Sequence, residues 1–196
     1  MPTADKAGPR SVRGQVAIVT GAASGMGAAT AKVFAEEGAF VAVTDIQLDR
    51  AETVAAALRD AGGRAEAWAL DVADPEAIKR VVGEVAARFG GIDVLVNNAG
   101  ISSLAAIDAI DYDERWTRAI TVLLSSQQRM IRAALPHLRA STAARIVNIA
   151  STEALGSTRN NSAYAAAKSG VTGLTRALAV ELGRDGITVN CICPGP

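Results

Sequence analysis

The sequence predicts an α/β fold in which a single parallel sheet carries helices on both of its faces. Short β-branched segments alternate with longer alanine-rich segments of helical character from residue 15 to the last residue. Strand segments such as VAIV and VLV are apolar without alternation, as expected where both faces of a sheet are covered. Glycines separate the segments where helices end. Strands joined by helical crossovers form a parallel, doubly wound sheet.

Six strands and five helices are predicted to alternate along the chain, after a polar segment over residues 1–13 that we expect to be a flexible tail. Residues 14–196 are then predicted to form one domain. The predicted strands are Val16–Thr20, Phe40–Asp45, Ala65–Asp71, Val94–Asn97, Arg145–Ala150 and Ile187–Ile192. The predicted helices are Met26–Glu37, Leu48–Ala61, Pro75–Phe89, Glu114–Leu138 and Ser162–Leu182.

Composition and charge argue against several classes of function. The 196 residues include 20 Lys plus Arg and 20 Asp plus Glu, so no net charge attracts nucleic acid or an acidic membrane. No apolar run approaches the roughly 20 residues of a membrane helix, and no signal-peptide segment is present. We expect Cys191 and Cys193 to pack as small apolar side chains rather than to form a redox or metal pair. A cytoplasmic protein without a metal site is predicted.

Chemically distinctive residues follow all six predicted strands. Since the carboxyl ends of parallel strands meet at one edge of a sheet, these residues should surround one ligand site, as in other open α/β sheets. They are Gly21–Gly27, Asp45, Asp71, Asn97–Gly100, Ser151 and Pro194–Gly195.

The first strand is followed by a glycine-rich turn with the spacing Gly-x-x-x-Gly-x-Gly. Glycines permit a tight turn and let the backbone approach a pyrophosphate, which then meets the free N–H groups of the following helix. The spacing differs from the common dinucleotide fingerprint, and such a turn by itself can be purely structural. The loop residues predicted to bind the cofactor are Gly21, Ser24, Gly25, Met26 and Gly27.

Asp45 makes a dinucleotide the favoured ligand of this turn, because it ends the second strand 18 residues after Gly27. A carboxylate there accepts hydrogen bonds from both ribose hydroxyls and repels a 2′-phosphate. It is followed by Ile46 and Gln47, and no basic residue accompanies it. The sequence therefore predicts a Rossmann-type domain that binds NAD rather than NADP, with Asp45 and Ile46 at the ribose. A simple helix-capping role for Asp45 is the alternative.

Tyr164 and Lys168 lie four residues apart, on one face of the fifth predicted helix. A nearby ammonium favours the phenolate form of a tyrosine, which otherwise loses its proton only near pH 10. Ser151 follows the fifth strand, where its hydroxyl could bond a substrate oxygen. The Tyr-x-x-x-Lys spacing alone is weak evidence, since many exposed helices contain it.

Taken together, these residues resemble the short-chain dehydrogenase/reductase family over residues 14–196. The resemblance implies that Tyr164 is the general acid/base, that Lys168 lowers its pKa and holds the nicotinamide ribose, and that Ser151 orients the substrate. It also implies a homodimer or homotetramer paired through the two longest helices. The motifs that carry it are TGAASGMG (20–27), Asp45, Asp71-Val72, NNAG (97–100), IVNIAS (146–151), YAAAK (164–168) and VNCICPG (189–195).

The resemblance also implies the remaining cofactor contacts. Asp71 and Val72 would line the adenine pocket, and the segment after the fourth strand would form the floor of the cofactor site. The floor residues are Asn98, Ala99 and Gly100, and the contacts after the last strand are Pro194 and Gly195.

Two departures from the family pattern concern Leu123 and the C-terminus. The family has an Asn within a Val-Asn-Leu stretch, and Leu123 lies at that position here. In the family, the Asn side chain holds a bend in the helix, and a backbone carbonyl at this bend takes part in the proton relay. Ser125 and Ser126 offer hydroxyls nearby. The family also continues into a seventh strand, which is missing from this chain, so we expect a truncated domain with an uncovered edge strand.

The expected function is an NAD-dependent transfer of hydride between the cofactor and a secondary alcohol or ketone, a small-molecule substrate. One alternative is a catalytically silent, cofactor-binding protein with a regulatory or scaffolding role, which Leu123 would favour. Another is an epimerase or dehydratase that uses bound NAD, although such enzymes usually carry a different glycine spacing.

Overall fold

A computed structural model describes residues 11–195 and confirms the predicted fold. One six-stranded sheet has the order β3-β2-β1-β4-β5-β6, and every adjacent pair is parallel. This is the strand order of the doubly wound dinucleotide-binding fold, with the chain reversing direction across the sheet between β1 and β4. The strands are β1 (Val16–Thr20), β2 (Phe40–Asp45), β3 (Arg64–Ala69), β4 (Val94–Asn97), β5 (Arg145–Ile149) and β6 (Thr188–Ile192).

Helices connect successive strands and cover both faces of the sheet. A π-helical segment, Thr121–Ser125, joins two of them, and short 3₁₀ turns follow β5 and the last helix. The helices are α1 (Gly25–Glu36), α2 (Leu48–Asp60), α3 (Pro75–Phe89), α4 (Tyr112–Ile120), α5 (Ser126–Ala140) and α6 (Ser162–Leu182).

Two apolar layers hold the helices against the sheet. On one face, Ile18 and Leu95 of the central strands are fully buried with residues of α3, α5 and α6. On the other face, Val19 and Val43 pack with the alanines of α1 and α2. Small alanine side chains let α1 and α2 approach the sheet closely. The apolar strands are therefore buried on both faces, as their lack of alternation predicted.

The structure corrects several predicted element boundaries. The third strand begins one residue earlier, at Arg64, the first helix is shifted by one residue, to Gly25–Glu36, and the second helix ends one residue earlier, at Asp60. The third strand ends at Ala69 rather than Asp71, because its pairing with β2 stops there and the chain then turns into the loop before α3. The fifth strand ends one residue earlier and the sixth begins one residue later than predicted. The single helix predicted over 114–138 is instead α4, the π segment and α5 in succession.

Most of the predicted N-terminal tail, residues 1–10, lies outside the described residues. Of the remainder, Val12 is partly buried against the layer beneath α1 and α2. The carbonyl of Val12 accepts a hydrogen bond from the N–H of Gln15 at 3.0 Å. The chain is therefore already packed against the sheet just before β1 begins.

Candidate active site

A cavity of about 790 Å³ opens at the carboxyl ends of the strands, where β1 and β4 lie side by side. This is the position at which open α/β sheets bind ligands, since the crossovers leave in opposite directions there. The cavity wall includes most of the residues predicted from the sequence. These are Gly21, Ser24, Gly25, Met26, Asp45, Asn98, Ala99, Gly100, Ser151, Tyr164, Lys168, Pro194 and Gly195.

The glycines of the β1–α1 loop serve different physical purposes. Gly21 and Gly25 have φ of +64° and +54°, which side-chain-bearing residues rarely adopt. A Cβ at Gly21 would lie 2.7 Å from the Cα of Ala99, and one at Gly27 would lie 2.3 Å from the carbonyl oxygen of Gly21. Gly21 and Gly27 therefore let the loop pack tightly, whereas a Cβ at Gly25 would meet no atom within 4 Å.

Thr20 and Asn98 fasten this loop to the end of β4. The Thr20 hydroxyl oxygen accepts hydrogen bonds from the N–H groups of Asn98 and Ala99, both at 3.0 Å. The Asn98 side-chain amide donates to the carbonyls of Thr20 and Gly21 at 2.8 and 3.1 Å. Asn98 thus acts on the cavity mainly by holding the glycine loop in shape.

Asp45 ties the end of β2 to the same loop. Its carboxylate accepts hydrogen bonds from the N–H of Ala23 at 3.1 Å and from the N–H of Gln47 at 3.0 Å. Each carboxylate oxygen is engaged once and has further lone pairs available. The half-buried Asp45 side chain therefore keeps acceptor capacity at the cavity wall.

Ser151, Tyr164 and Lys168 line the same cavity. Ser151 lies two residues after the end of β5, and its hydroxyl accepts a hydrogen bond from the N–H of Glu153 at 3.2 Å. Tyr164 and Lys168 project from α6, with the Lys168 ammonium nitrogen 5.6 Å from the centroid of the Tyr164 ring. Their common location was predicted from the helical spacing and from the strand end.

Lys168 is almost completely buried, with 3% of its surface exposed. Its ammonium group donates a hydrogen bond to the carbonyl of Ile149 at 2.7 Å. Burial lowers the pKa of Lys168 to about 8, against the opposing influence of the thiols of Cys191 and Cys193. The ammonium is therefore deprotonated more easily than that of an exposed lysine.

Four predicted site residues do not line the cavity. Gly27 lies beneath the loop, where it allows close packing, and the side chain of Ile46 is 64% exposed. Asp71 accepts a hydrogen bond from the N–H of Ala73 at 2.8 Å, which shapes the turn before α3. Val72 is buried in the apolar layer beneath α3. Both residues follow β3, whose earlier end places them in this loop.

The segment between β5 and α6 contributes wall residues that the sequence reasoning missed. The Glu153 carboxylate accepts hydrogen bonds from the N–H of Thr158 and from the amide of Asn161, both at 3.0 Å. The Thr158 bond, followed by that from Asn161, keeps the pKa of Glu153 below its usual value. Asn161 lies three residues before Tyr164, a proximity that could have identified it. The segment is thereby held across the mouth of the cavity.

Cys191 and Cys193 are half-buried, with their sulfur atoms 3.8 Å apart. Burial, together with a hydrogen bond involving Cys193, raises the pKa of Cys191 to about 11, so this thiol stays protonated at neutral pH. Within residues 11–195, no group of three His, Cys, Asp or Glu side chains is placed to hold a metal ion. No helix in that range is long and apolar enough to cross a membrane.

Comparison with known proteins agrees with this geometry. A family model described as short chain dehydrogenase matches residues 15–196. The chain belongs to the short-chain dehydrogenase family. The family resemblance inferred from the sequence motifs is thereby confirmed, and the protein is an oxidoreductase.

Named relatives of this short-chain dehydrogenase are themselves dehydrogenases. It is 43% identical to cis-4-hydroxycyclohexanecarboxylate dehydrogenase of Sinomonas cyclohexanicum, over 92% of this chain and 72% of that protein. It is 40% identical to meso-2,3-butanediol dehydrogenase of Serratia marcescens, over 92% of this chain and 70% of that protein. A crystal structure of a short chain dehydrogenase from Mycobacterium smegmatis superposes with a TM-score of 0.90 at 37% identity, covering 94% of this chain and 78% of that one.

Short-chain dehydrogenases use NAD(H) or NADP(H), and the cavity of this family member fits such a group. The side chain of Ser24 does not cap α1, so the N–H groups of the first turn are available to an anion. Gly25 leaves open space directly beside them. The loop therefore offers a pyrophosphate both free N–H donors and space beside Gly25.

Proposed function

We propose that this short-chain dehydrogenase uses NAD(H) to interconvert a secondary alcohol and its ketone. The observation that carries the proposal is that Ser151, Tyr164 and Lys168 line the same cavity as the glycine loop and Asp45. One ligand-sized space thus contains a proton-exchanging group, a buried cation and the features suited to a dinucleotide.

The contacts of the β1–α1 loop support binding of a dinucleotide. Gly25 and the first turn of α1 would hold the pyrophosphate, and the Asp45 carboxylate would accept hydrogen bonds from the adenosine ribose hydroxyls. The N–H groups of Ala23 and Gln47 fix the Asp45 side chain in place. A 2′-phosphate at this point would face a carboxylate, which supports NAD over NADP. Tyr164 and Lys168 would lie at the nicotinamide ribose.

A bound NAD would supply the hydride acceptor, its nicotinamide, which takes the hydride from the carbon that bears the substrate hydroxyl. In the oxidation direction, Tyr164 would act as the general base that takes the proton of this hydroxyl. Ser151 would hydrogen-bond the substrate oxygen and hold it near Tyr164. The Lys168 ammonium, kept in place by the Ile149 carbonyl, stabilises the negative charge on the phenolate.

The named relatives support a secondary hydroxyl as the reacting group. Their names refer to a hydroxycyclohexanecarboxylate and a 2,3-butanediol, each with a hydroxyl on a carbon bonded to two other carbons. The Tyr164 and Ser151 hydroxyls are suited to bind a secondary hydroxyl, and they do not select the rest of the substrate. The proposal is therefore limited to the reaction class.

A homodimer or homotetramer in the cytoplasm is also part of this proposal. Exposed apolar side chains on α4 and α6 support self-association, since Trp116 on α4 is 39% exposed and Val180 on α6 is 83% exposed. Light scattering coupled to gel filtration would measure the assembly, and a monomer would contradict this part.

Turnover with a panel of alcohols and ketones tests the reaction class. We expect the full-length protein to form NADH from NAD with at least one cyclic or acyclic secondary alcohol. The corresponding ketone should be reduced with NADH. Cofactor binding without turnover of any compound would contradict the proposal and favour a catalytically silent protein.

A further inference from the structure

Gln127 is a buried polar residue directly beneath the catalytic groups, and the mechanism above assigns it no role. It lies in the first turn of α5 and is only 2% exposed. Its side-chain amide nitrogen donates to the carbonyl of Leu123 at 3.1 Å and approaches the carbonyl of Ile149 at 3.5 Å. The second carbonyl belongs to the last residue of β5. Gln127 therefore connects the π segment to the sheet.

The Ile149 carbonyl is also the acceptor for Lys168. The Lys168 ammonium donates to it at 2.7 Å, so one backbone oxygen is shared by the lysine and the Gln127 amide. The orientation of the amide follows from its neighbours, because a rotated amide would place its oxygen against two carbonyl oxygens. Gln127 thus restrains the oxygen that holds the catalytic ammonium.

Neither packing nor the nearby serines account for this arrangement. The amide oxygen of Gln127 is buried and accepts no hydrogen bond from the described residues, which costs stability that an apolar side chain would avoid. The Ser126 hydroxyl donates to the carbonyl of Val122 at 2.6 Å. Leu123 itself packs against alanines of α4 and α6. Gln127, rather than a serine, therefore contacts the Leu123 carbonyl.

We propose that Gln127 is a positioning residue that holds Lys168 through the carbonyl of Ile149, and that it supplies the amide that position 123 lacks. This inference rests on the proposed function, in which the Lys168 ammonium supports proton exchange at Tyr164. The Gln127 amide would hold the π segment against the end of β5 during turnover. Through the Ile149 carbonyl it would also hold the Lys168 ammonium in place.

Two substitutions in the full-length protein test this role, with Gln128 as a matched control. Gln127→Met keeps the chain length but removes the N–H donor, whereas Gln127→Glu keeps the shape and introduces a negative charge. Gln128 is the exposed next residue, so Gln128→Met changes the same residue type outside the site. For each variant we would measure kcat across pH, together with the Kd for NADH.

We expect Gln127→Met to lower kcat about tenfold while the Kd for NADH changes less than about twofold. The alkaline limb of its pH profile should move to lower pH by about half a unit or more, since the Ile149 carbonyl that accepts from the ammonium is no longer restrained by the Gln127 amide. Gln127→Glu should also lower kcat, because a carboxyl oxygen would replace the N–H donor and face the carbonyl oxygens of Leu123 and Ile149. Gln128→Met should match the wild-type protein in all three measurements.

A shift of the alkaline limb in Gln127→Met would support positioning of Lys168, since loss of packing alone would not move it. Superimposable pH profiles of Gln127→Met and the wild-type enzyme would overturn this inference and leave the proposed function intact. If Gln127→Met does not fold, Gln127→Glu decides, because wild-type kcat in that variant would overturn the inference. A wild-type protein without any turnover would overturn both proposals.

Discussion

The Lys168 ammonium nitrogen lies 5.6 Å from the centroid of the Tyr164 ring, one helical turn further along α6. Both side chains face the cavity that also contains Asp45 and the glycine loop. A buried cation beside a phenol is suited to stabilising a phenolate without making a covalent bond to it. This relationship underlies the first two predictions below.

Tyr164→Phe should abolish proton transfer and retain cofactor binding. The ring is preserved and only the hydroxyl is lost, so we expect kcat to fall by at least about 100-fold, as for other general acid/base residues. The Kd for NADH should be nearly unchanged. Tyr112→Phe is the control, because Tyr112 is the only other tyrosine and its hydroxyl bonds Ser162 at 2.6 Å. Retained turnover in Tyr164→Phe would mean that another group exchanges the proton.

In Lys168→Met, the free energy of unfolding should change less with pH in the alkaline range than it does in the wild-type protein. Burial lowers the pKa of Lys168 from its ordinary 10.5 to about 8, so the unfolded chain binds more protons than the folded one between these values. The free energy of unfolding of the wild-type protein should therefore rise relative to that of the variant as the pH rises through this window. Below pH 8 the buried lysine is charged, and its burial lowers the stability of the wild-type protein by the full amount. The gain is on the order of 3 kcal/mol at most.

Urea unfolding of the cofactor-free protein at several pH values measures this difference. Lys79→Met is the control, since Lys79 is 66% exposed and pairs only with Glu76 on the helix surface. A stability difference between wild type and Lys168→Met that stays constant from neutral to alkaline pH would refute the pKa shift.

Asp45 should set the preference for NADH over NADPH. We expect the wild-type protein to bind NADH more tightly, because only NADH lacks the phosphate that the carboxylate repels. In Asp45→Ala this preference should fall by roughly tenfold or more, the effect of one lost charged hydrogen bond. Asp49→Ala removes an equal charge from the first turn of α2 and serves as control. Tighter NADPH binding to the wild-type protein would contradict the assignment.

Gly27→Ala should disrupt the cofactor loop. The new methyl group would lie 2.3 Å from the carbonyl oxygen of Gly21 and 2.5 Å from the Asn98 amide nitrogen, so the backbone must shift. We expect a loss of about 1–3 kcal/mol in stability and weaker NADH binding. Gly83→Ala, in the open surface of α3, should instead add up to about 1 kcal/mol. Thermal unfolding and NADH titration of both variants provide the comparison.

Leu123→Asn should change turnover by less than about tenfold, or about 1.4 kcal/mol of barrier. The π segment is already formed with leucine at this position, and the Gln127 amide already bonds the Leu123 carbonyl. A much larger gain in kcat would show that the natural protein lacks a functional relay. The same assay on Gln127→Met would then show whether that amide contributes at all.

The sequence could predict most of the fold because the relevant signals are local. Uninterrupted apolar strands indicated burial on both faces, and their alternation with helices indicated parallel pairing. The same logic located Gly21, Asp45 and Ser151 at one edge, since each lies at the end of a strand or within two residues after it. The helical repeat placed Tyr164 and Lys168 on one face of α6.

Tertiary packing decided features that local patterns do not encode. The third strand ends where its partner β2 stops pairing, and Asp71 and Val72 lie in the loop that follows. The π segment interrupts a stretch that was predicted as one continuous helix. Leu123 of this segment packs against α4 and α6.

The sequence by itself determined the strands of the sheet, the glycine loop between β1 and α1, and the identities of the residues at the carboxyl edge of the sheet. Each of these depends on neighbours within a few positions. Only the tertiary structure brought Gln127 and Lys168 to the same carbonyl of Ile149. These residues come from α5, α6 and β5, and their separations along the chain of 22 and 19 residues carry no periodic signal. Their meeting depends on how two helices pack over the end of one strand.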